Sequence, residues 1–285
     1  MLNVTCFGTT TLLLDDGTDQ VLFDAHVTRP SLIKYLLGIK VSTDAALCDR
    51  LIGTHKIDRL RAVFISHTHH DHVMDAPYIA QKCGATVYGS ASAMNVALGG
   101  GVPEERIVVF EHGSRFAVGG YDIRVLKSLH SKPTILNNDL GVPITKPLVQ
   151  PAGLRDYKEG GSYDFYVICG GKRVLIRPSF NYIEGQLDGL SADVLFLGVA
   201  GLEKADAATA KRFFAETVEK TGAKLVIPIH WDNFFSPLEK PVGGMPNPVG
   251  KTKVAFYRLA RYYEARGVNC LIQYPLTCIE LGGDP

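Results

Sequence analysis

Residues 66–72 read Ser-His-Thr-His-His-Asp-His, so four imidazoles and one carboxylate fall within six consecutive positions. The run 61–65 precedes this stretch, is rich in β-branched and aromatic residues, and predicts a buried strand. After it, Asp75, Ala76 and Pro77 predict a helix start, with Asp75 or Ala76 near the cap and Pro77 in the first turn. The cluster is therefore expected in a strand-to-helix loop at the carboxyl end of a strand, where open α/β sheets usually place ligand sites.

The spacing within this stretch predicts metal binding. Imidazole nitrogens and carboxylate oxygens are good ligands for zinc and similar divalent ions. In a tight loop, His67 and His69 can converge on one ion, while Asp71 and His72 turn towards a neighbouring point. His70 has no place in this alternation and is expected to point away. A His-rich surface loop without a function is the alternative, and further features of the chain argue against it.

The composition limits the other classes of function. With 285 residues, 46% of them hydrophobic, the chain can bury a sizeable core. A formal net charge of +1, without a long run of one sign, gives no indication of a nucleic-acid partner. The six cysteines form no C-x-x-C pair and are expected to be reduced, mostly buried thiols. Since neither a signal segment nor a membrane-crossing apolar run is apparent, we expect a soluble cytoplasmic protein without a membrane partner.

The rest of the chain alternates between predicted strands and helices. Strands are predicted over 3–7, 11–14, 20–23, 86–88, 164–169, 173–176, 193–199, 225–229, 270–274 and 278–281. Helices are predicted over 31–37, 44–52, 77–82, 90–98, 207–218 and 251–266. Two further strands, 106–110 and 121–126, are predicted to flank a hairpin with Gly119-Gly120 at its turn.

The pattern His67-x-His69-x-Asp71-His72 is the signature of the metallo-β-lactamase-fold superfamily, which the chain resembles along nearly its whole length. The resemblance implies an α/β protein, an αββα four-layer sandwich of two mixed β-sheets flanked by helices, with metals at the shared edge. We expect one domain over 1–285, with pseudo-duplicated halves of about 1–140 and 141–285. A helical insertion over 27–59 could supply a pocket wall.

The same resemblance implies further ligands at later strand ends. His130 follows the alternating apolar strand 121–126 and matches the third ligand position of the family. His230 follows the strand 225–229 and matches the final one. In this interpretation, the first metal ion is held by His67, His69 and His130, and the second by Asp71, His72 and His230.

Two other positions bear on the metal centre. Asp24 ends the strand 20–23 and matches an aspartate that orients the metal loop from behind the ligands, with a simple turn aspartate as the alternative. The main departure from the family is Pro178-Ser179, which stands where a Gly-Asp pair with a metal-bridging aspartate is usual. A hydroxyl is a neutral, weak ligand. Either the second metal binds weakly, or another group substitutes, Glu184 being the nearest carboxylate in sequence.

Residues 131–162 are rich in Pro, Gly and Asn and leave directly from His130. A loop this long in a compact domain is generally functional or disordered, so we expect it to cover the metal site. The candidate substrate contacts of the chain are His26, Arg155, Tyr157, Lys158 and Trp231, with a solvated or purely structural role as the alternative for each.

The resemblance implies a metal-dependent hydrolase acting on a small-molecule substrate. Zn²⁺ is the expected cofactor, as one or two ions, with Mn²⁺ or Fe²⁺ as alternatives. A bound metal lowers the pKa of water from about 16 to roughly 7, which makes hydroxide available for attack on an ester, lactone or phosphoester. Asp71 would be both a ligand and the proton acceptor. The lactonase branch of the family is one candidate, and the chain has no Gly-x-Ser-x-Gly motif to support a covalent route.

Two other classes of function stay open. Ser179 also suits a mononuclear metal-binding protein with little or no catalysis. Some branches of the family are iron-dependent oxygenases, which gives the second alternative. Redox di-iron members carry Glu where this chain has His69, so electron transfer is not expected. A homo-oligomeric assembly is compatible with the sequence.

Overall fold

A computed structural model describes residues 1–133, 138–247 and 249–282 of the chain. The strands are β1 (Leu2–Gly8), β2 (Thr11–Asp15), β3 (Gln20–Phe23), β4 (Leu60–Phe64), β5 (Thr86–Gly89), β6 (Ile107–Val109), β7 (Arg115–Val118), β8 (Tyr121–Lys127), β9 (Tyr163–Cys169), β10 (Lys172–Arg177), β11 (Val194–Gly198), β12 (Leu225–Ile229), β13 (Asn269–Cys270) and β14 (Thr277–Leu281). The α-helices are α1 (Leu32–Leu36), α2 (Ala45–Thr54), α3 (His70–Val73), α4 (Ala76–Cys83), α5 (Ala91–Gly99), α6 (Ala207–Phe214) and α7 (Thr252–Glu264). Short 3₁₀ turns lie at Glu104–Arg106 and Leu202–Lys204, and a π-helical turn, Ala215–Glu219, continues α6.

The strands form two seven-stranded mixed sheets. The first sheet has the order β14-β1-β2-β3-β4-β5-β6, and β3 to β6 are parallel. The second sheet has the order β13-β12-β11-β10-β9-β8-β7, and β10 to β13 are parallel. Parallel strands bring their carboxyl ends to one edge of a sheet, so residues that follow β3 and β4, or β10 and β12, share an edge.

The two sheets pack face to face, and helices cover their outer faces, so central strands are buried on both sides. In β4, Ala62 and Phe64 point between the two sheets, where the Phe64 ring lies 5.7 Å from that of Phe165 in β9. Val63 points the other way, into the cluster that contains side chains of α2, α4 and α5. A third cluster packs α6 and α7 on the outer face of the second sheet. Successive side chains of a strand point to opposite faces of the sheet. Apolar residues at successive positions are therefore typical of a strand that is covered on both faces. The predicted αββα sandwich of two mixed sheets is confirmed.

Two strand predictions were wrong. The hairpin partner of β8 is β7, not 106–110, because the two-residue turn Gly119-Gly120 joins strands directly adjacent to it. The strand 106–110 is instead the edge of the first sheet, β6, beside β5. The strand predicted over 270–274 is only β13, since its ladder with β12 ends at the pair Val226 and Cys270.

Two helix predictions need correction as well. The histidine stretch is not only a loop, because His70–Val73 form the single-turn helix α3 before α4 begins at Ala76. The helix predicted over 207–218 is α-helical to Phe214 and then π-helical, and the buried Thr217 hydroxyl there donates to the Phe213 carbonyl.

The two long segments lie as follows. Residues 27–59 contain α1 and α2. The described part of 131–162 contains no helix or strand beyond an isolated bridge between Val41 and Ala152, and residues 134–137 of it lie outside the described residues. The single domain over 1–285 and its halves, about 1–140 and 141–285, stay predictions. None of the described helices is both long and apolar enough to span a membrane. All six cysteines are free thiols.

Candidate metal centre

The predicted ligands meet at the shared edge of the two sheets. His67 and His69 follow β4, and Asp71 and His72 lie in α3. His130 follows β8, and His230 follows β12. The ligand atoms fall into two groups, in each of which they lie within 4.8 Å of one another: His67, His69 and His130 in the first, and Asp71, His72 and His230 in the second.

Hydrogen bonds on the outer side of the first group fix which imidazole nitrogens face inward. Nδ1 of His130 lies 3.0 Å from the carbonyl oxygen of Ser131, and Nε2 of His69 lies 3.0 Å from Oδ1 of Asp139. A carbonyl or carboxylate oxygen only accepts, so these two nitrogens carry the protons. The lone pairs of Nδ1 of His69 and Nε2 of His130 then face each other at 3.2 Å. Two lone pairs at that distance repel, and a cation bound by both nitrogens would relieve this repulsion.

The second group is held in the same way. Nδ1 of His72 lies 2.7 Å from Oδ2 of Asp24, which leaves the lone pair of its Nε2 facing the group. Oδ2 of Asp71 lies 3.7 Å from Nε2 of His72 and 3.4 Å from Nε2 of His230. Nε2 of His72 and Nε2 of His67 are buried, and neither has a hydrogen-bond partner among the described residues. A buried polar atom without a partner is costly, and metal ligation satisfies it.

The charge states also suit a divalent cation. Burial, and then the neighbouring imidazoles, lower the pKa of His67 well below 6.5, and burial lowers that of His130 to about 4. Both imidazoles are therefore neutral at pH 7. Burial opposes ionisation of Asp71, but His72 and His230 outweigh it and hold the Asp71 pKa well below 3.8. The His230 pKa is raised above its ordinary value, because the hydrogen bond and charge of Asp71 outweigh its burial.

Asp24 lies behind the candidate ligand His72. It is 1% exposed, and its backbone φ is +52°, in the left-handed region. Its carboxylate accepts hydrogen bonds from the Ser66 amide at 2.7 Å and from the Thr10 hydroxyl at 2.6 Å, besides the contact with His72. Asp24 thus ties the start of the histidine stretch to β2 and β3.

An ion pair anchors the segment that carries His230, and neither of its two residues stands out in its own stretch of sequence. His230 has φ +59°, and its amide donates to the Thr9 carbonyl at 2.6 Å. Asp232 accepts from the Thr9 amide at 2.7 Å and pairs with Arg29 at 2.7 Å, and both charged side chains are almost fully buried. The loop that carries His230 is therefore fixed to the β1–β2 turn and to the start of the segment 27–59.

Ser179 lines the cavity beside the centre, at the end of β10. Glu184 is exposed and is not among the residues that line this cavity, so it does not replace the missing carboxylate. The structure instead brings Asp139, from the loop 131–162, to the outer side of His69. Sequence reasoning missed Asp139, because it lies in an irregular stretch without periodicity.

The remaining candidates lie at different depths. Arg155, Tyr157 and Trp231 line the cavity, and the Arg155 guanidinium lies 5.0 Å from the ring centroid of Tyr35. Tyr157 is 1% exposed, and its hydroxyl accepts from the Gln150 side-chain amide. Only the side of its ring is therefore left to contact a ligand. His26 is fully buried outside the cavity lining, with Nε2 3.4 Å from the carbonyl oxygen of Phe234.

His70 belongs to neither ligand group, in agreement with its expected orientation away from them. Its ring packs near those of Tyr35, at 5.7 Å, and His26, at 5.8 Å. Burial lowers the pKa of His70 to about 4, so it is a neutral part of the cavity wall.

Comparison with known proteins gives one family. The model of the β-lactamase superfamily domain matches residues 20–231. A UPF0173 metal-dependent hydrolase of Myxococcus xanthus (strain DK1622) is 34% identical over 79 residues, which are 28% of this chain and 27% of that protein. The chain covers less than half the length of the curated relatives that it matches.

Solved structures share the fold. The metallo-β-lactamase fold protein YhfI from Bacillus subtilis aligns with a TM-score of 0.60 and 15% identity, over 98% of this chain and 100% of its own. CmlA, a diiron β-hydroxylase from Streptomyces venezuelae, aligns with a TM-score of 0.61 and 13% identity, over 98% of this chain and 54% of its own. At such identities the likeness concerns the fold, and it confirms the one that the sequence predicts.

Proposed function

This chain belongs to the β-lactamase superfamily, and from that premise we propose that it is a metal-dependent hydrolase of an ester, lactone or phosphoester. One observation carries the proposal. Two groups of three metal-ligating side chains lie side by side at the sheet edge, and members of both groups line one cavity of about 1070 Å³. The curated relatives named as metal-dependent hydrolases support it.

The donor set indicates which ions would be held. Imidazole nitrogens with a single carboxylate suit Zn²⁺, with Mn²⁺ or Fe²⁺ as alternatives. His67, His69 and His130 would hold the first ion, and Asp71, His72 and His230 the second. When bound, such an ion supplies an activated water as nucleophile and positive charge for the developing oxyanion.

The chain's own residues supply the rest of the chemistry. Asp71 is ionised at neutral pH, and its Oδ2 faces the centre beside His230, so it can accept a proton there. Asp24 and Asp139 hold His72 and His69 in the tautomers that turn a lone pair inward. Reorganisation of the ligands is therefore small when the ion and substrate bind.

The neutral Ser179 gives the two ions unequal environments in this proposal. Asp71 is the one carboxylate in the two ligand groups found among the described residues. Without a second anion between two cations, their mutual repulsion is less compensated. We therefore expect the ion held by Asp71, His72 and His230 to bind more weakly than the first.

Ser179 also supports a second candidate, a member of the fold with a single metal ion. Such a protein would be a mononuclear metal-binding protein or an iron-dependent oxygenase with little hydrolytic activity. CmlA, a diiron β-hydroxylase, shares the fold, which supports the oxygenase form of this candidate but not a single ion. Metal analysis separates the candidates, because two zinc ions per chain favour the hydrolase and a single iron favours the oxygenase.

The test of the hydrolase is turnover of a panel of esters, lactones, thioesters and phosphodiesters by protein purified without a chelator. His69→Ala should abolish turnover while the circular dichroism spectrum stays unchanged. His112→Gln, at an exposed histidine that bonds only to the Lys127 amide in the described structure, is the matched control and should stay active. Equal turnover by His69→Ala and the wild type would refute the proposal.

A further inference from the structure

The cavity in front of the metal ligands is larger than the reacting group of an ester needs. Its volume is about 1070 Å³, and it reaches from His69 and His230 to Phe213 of α6 and Ala255 of α7. Small-molecule sites usually enclose about 300–1,000 Å³. A part of the substrate well beyond the scissile bond therefore has room to bind.

One wall of this cavity is apolar. Trp231 and Phe234 follow the ligand His230, and the Phe234 ring lies 5.4 Å from the His230 imidazole. Phe180 and Met245 extend the apolar wall. These four side chains are only partly buried by the protein itself. An apolar group that covers them gains the free energy of removing both surfaces from water.

The rim of the same cavity is cationic. Five basic side chains line it: Lys132, Arg155, Lys158, Lys204 and Lys251. In the described part of the chain, Lys132, Lys158 and Lys251 form no salt bridge. Converging positive charges with low-dielectric walls attract an anion and raise its local concentration.

The acidic side chains that line the cavity already have partners. Asp139 accepts from His69, Glu203 from the Gly201 amide, and the helix cap Asp206 from the Thr209 amide. Asp71 is the fourth and belongs to the ligand groups. Lys204 donates to the Val249 carbonyl at 3.0 Å, and the charges of Lys158 and Lys132 act on Asp139 and Asp206. In the described structure the ammonium groups of Lys132, Lys158 and Lys251 have no direct carboxylate contact, so they can reach a ligand.

We infer that the substrate is an amphipathic anion, with an apolar part several carbons long and a carboxylate or phosphate group. Its role as a substrate rests on the proposed hydrolase function, but its binding can be measured without turnover. A failure of the binding inference can therefore be told apart from a failure of the proposed hydrolase activity.

The chain provides its own reporter for this measurement. Trp231 is the one tryptophan in the sequence, and it lines the cavity, so its fluorescence responds to an occupant. The protein is titrated with acetate, octanoate, octanol and octyl phosphate. Acetate controls for the charged group, octanol controls for the chain, and octyl phosphate tells a phosphate preference from a carboxylate preference.

The expected result is set by the methylene count. Complete burial of one methylene group raises the affinity up to about fourfold. In a partly open cavity we expect half of that free energy, which corresponds to about twofold in affinity per methylene. Octanoate has six methylenes more than acetate, so it should bind about 60-fold more tightly. Octanoate or octyl phosphate should also bind at least about fivefold more tightly than octanol, because of the basic rim.

Variants locate the anion. Lys158→Gln should reduce the ratio of octanoate to octanol affinity towards one, and Lys253→Gln, at an exposed lysine outside the cavity lining, should leave that ratio unchanged. If octanoate binds no better than acetate, or no better than octanol, the inference is wrong even when the protein hydrolyses a substrate. If these ligands bind as expected but no panel member is turned over, the proposed hydrolase fails and the binding site stands.

Discussion

Replacement of Asp139 tests whether the loop 131–162 contributes to the metal centre. Oδ1 of Asp139 lies 3.0 Å from Nε2 of His69, and the Asp139 side chain is 19% exposed. A hydrogen bond to a charged acceptor contributes about 1.5–3 kcal/mol, and loss of such a partner behind a ligand histidine typically costs about 10–100-fold in metal affinity. Because solvent reaches part of this carboxylate, we expect the lower end, a loss of about tenfold, for Asp139→Leu.

Matched variants separate this role from a general effect of the loop. Asp139→Asn keeps an oxygen that can accept the same proton, so its loss should stay within about threefold. Asp156→Asn changes an exposed aspartate of the same loop, which accepts from the Gly153 amide, and should have no effect. Affinity is measured by competition between each zinc-loaded protein and a chelator of known affinity, and the cobalt-loaded proteins report ligand geometry by their visible spectra. Wild-type affinity in Asp139→Leu, or an equal loss in Asp156→Asn, would refute the reasoning.

Three further outcomes are expected. Ser179→Asp should tighten the more weakly held metal ion, and an unchanged second affinity in a metal titration would count against the role given to Ser179. In the metal-free protein, His67 and His130 have pKa values below 6.5. As the pH falls, these two imidazoles are therefore protonated in the unfolded chain before they are protonated in the folded protein. Between pH 6.5 and its folded pKa, each of these histidines should lower the free energy of unfolding by about 1.4 kcal/mol per pH unit. Equal midpoints of urea unfolding at pH 7.5 and pH 5 would contradict this. Burial raises the pKa of the Cys6 thiol to about 12, whereas Cys278 is exposed, so iodoacetamide at pH 8 should label Cys278 first, and rapid labelling of Cys6 in the folded protein would be inconsistent with the core.

The positions of the candidate ligands could be predicted from the sequence because each follows a predicted strand, and the resemblance supplied the match of His130 and His230 to ligand positions. Apolar strands precede His67 and His230, an alternating strand precedes His130, and strand ends at one sheet edge converge. The layer order came from the resemblance, since a histidine spacing does not itself specify two packed sheets. The hairpin prediction was wrong because β7 was overlooked; this strand has only four residues and begins with an exposed arginine.

What the sequence could not show depends on contacts between distant segments. The pair of Arg29 and Asp232 joins residues 203 positions apart, and each is unremarkable in its own stretch. Asp139 lies in a loop without periodicity, so its approach to His69 is set by tertiary packing. The cavity is equally non-local. Its apolar wall and basic rim come from the loop 131–162, the segments after β10 and β12, the turn Leu202–Lys204 and the start of α7.

In the proposed function the two ligand groups hold divalent metal ions at the sheet edge. Anomalous difference maps, measured at the zinc edge on crystals grown with zinc, locate such ions directly. We predict a strong peak among Nε2 of His67, Nδ1 of His69 and Nε2 of His130, and a second, weaker peak beside Asp71 and His230. A folded protein whose maps contain no peak at either group would contradict the account.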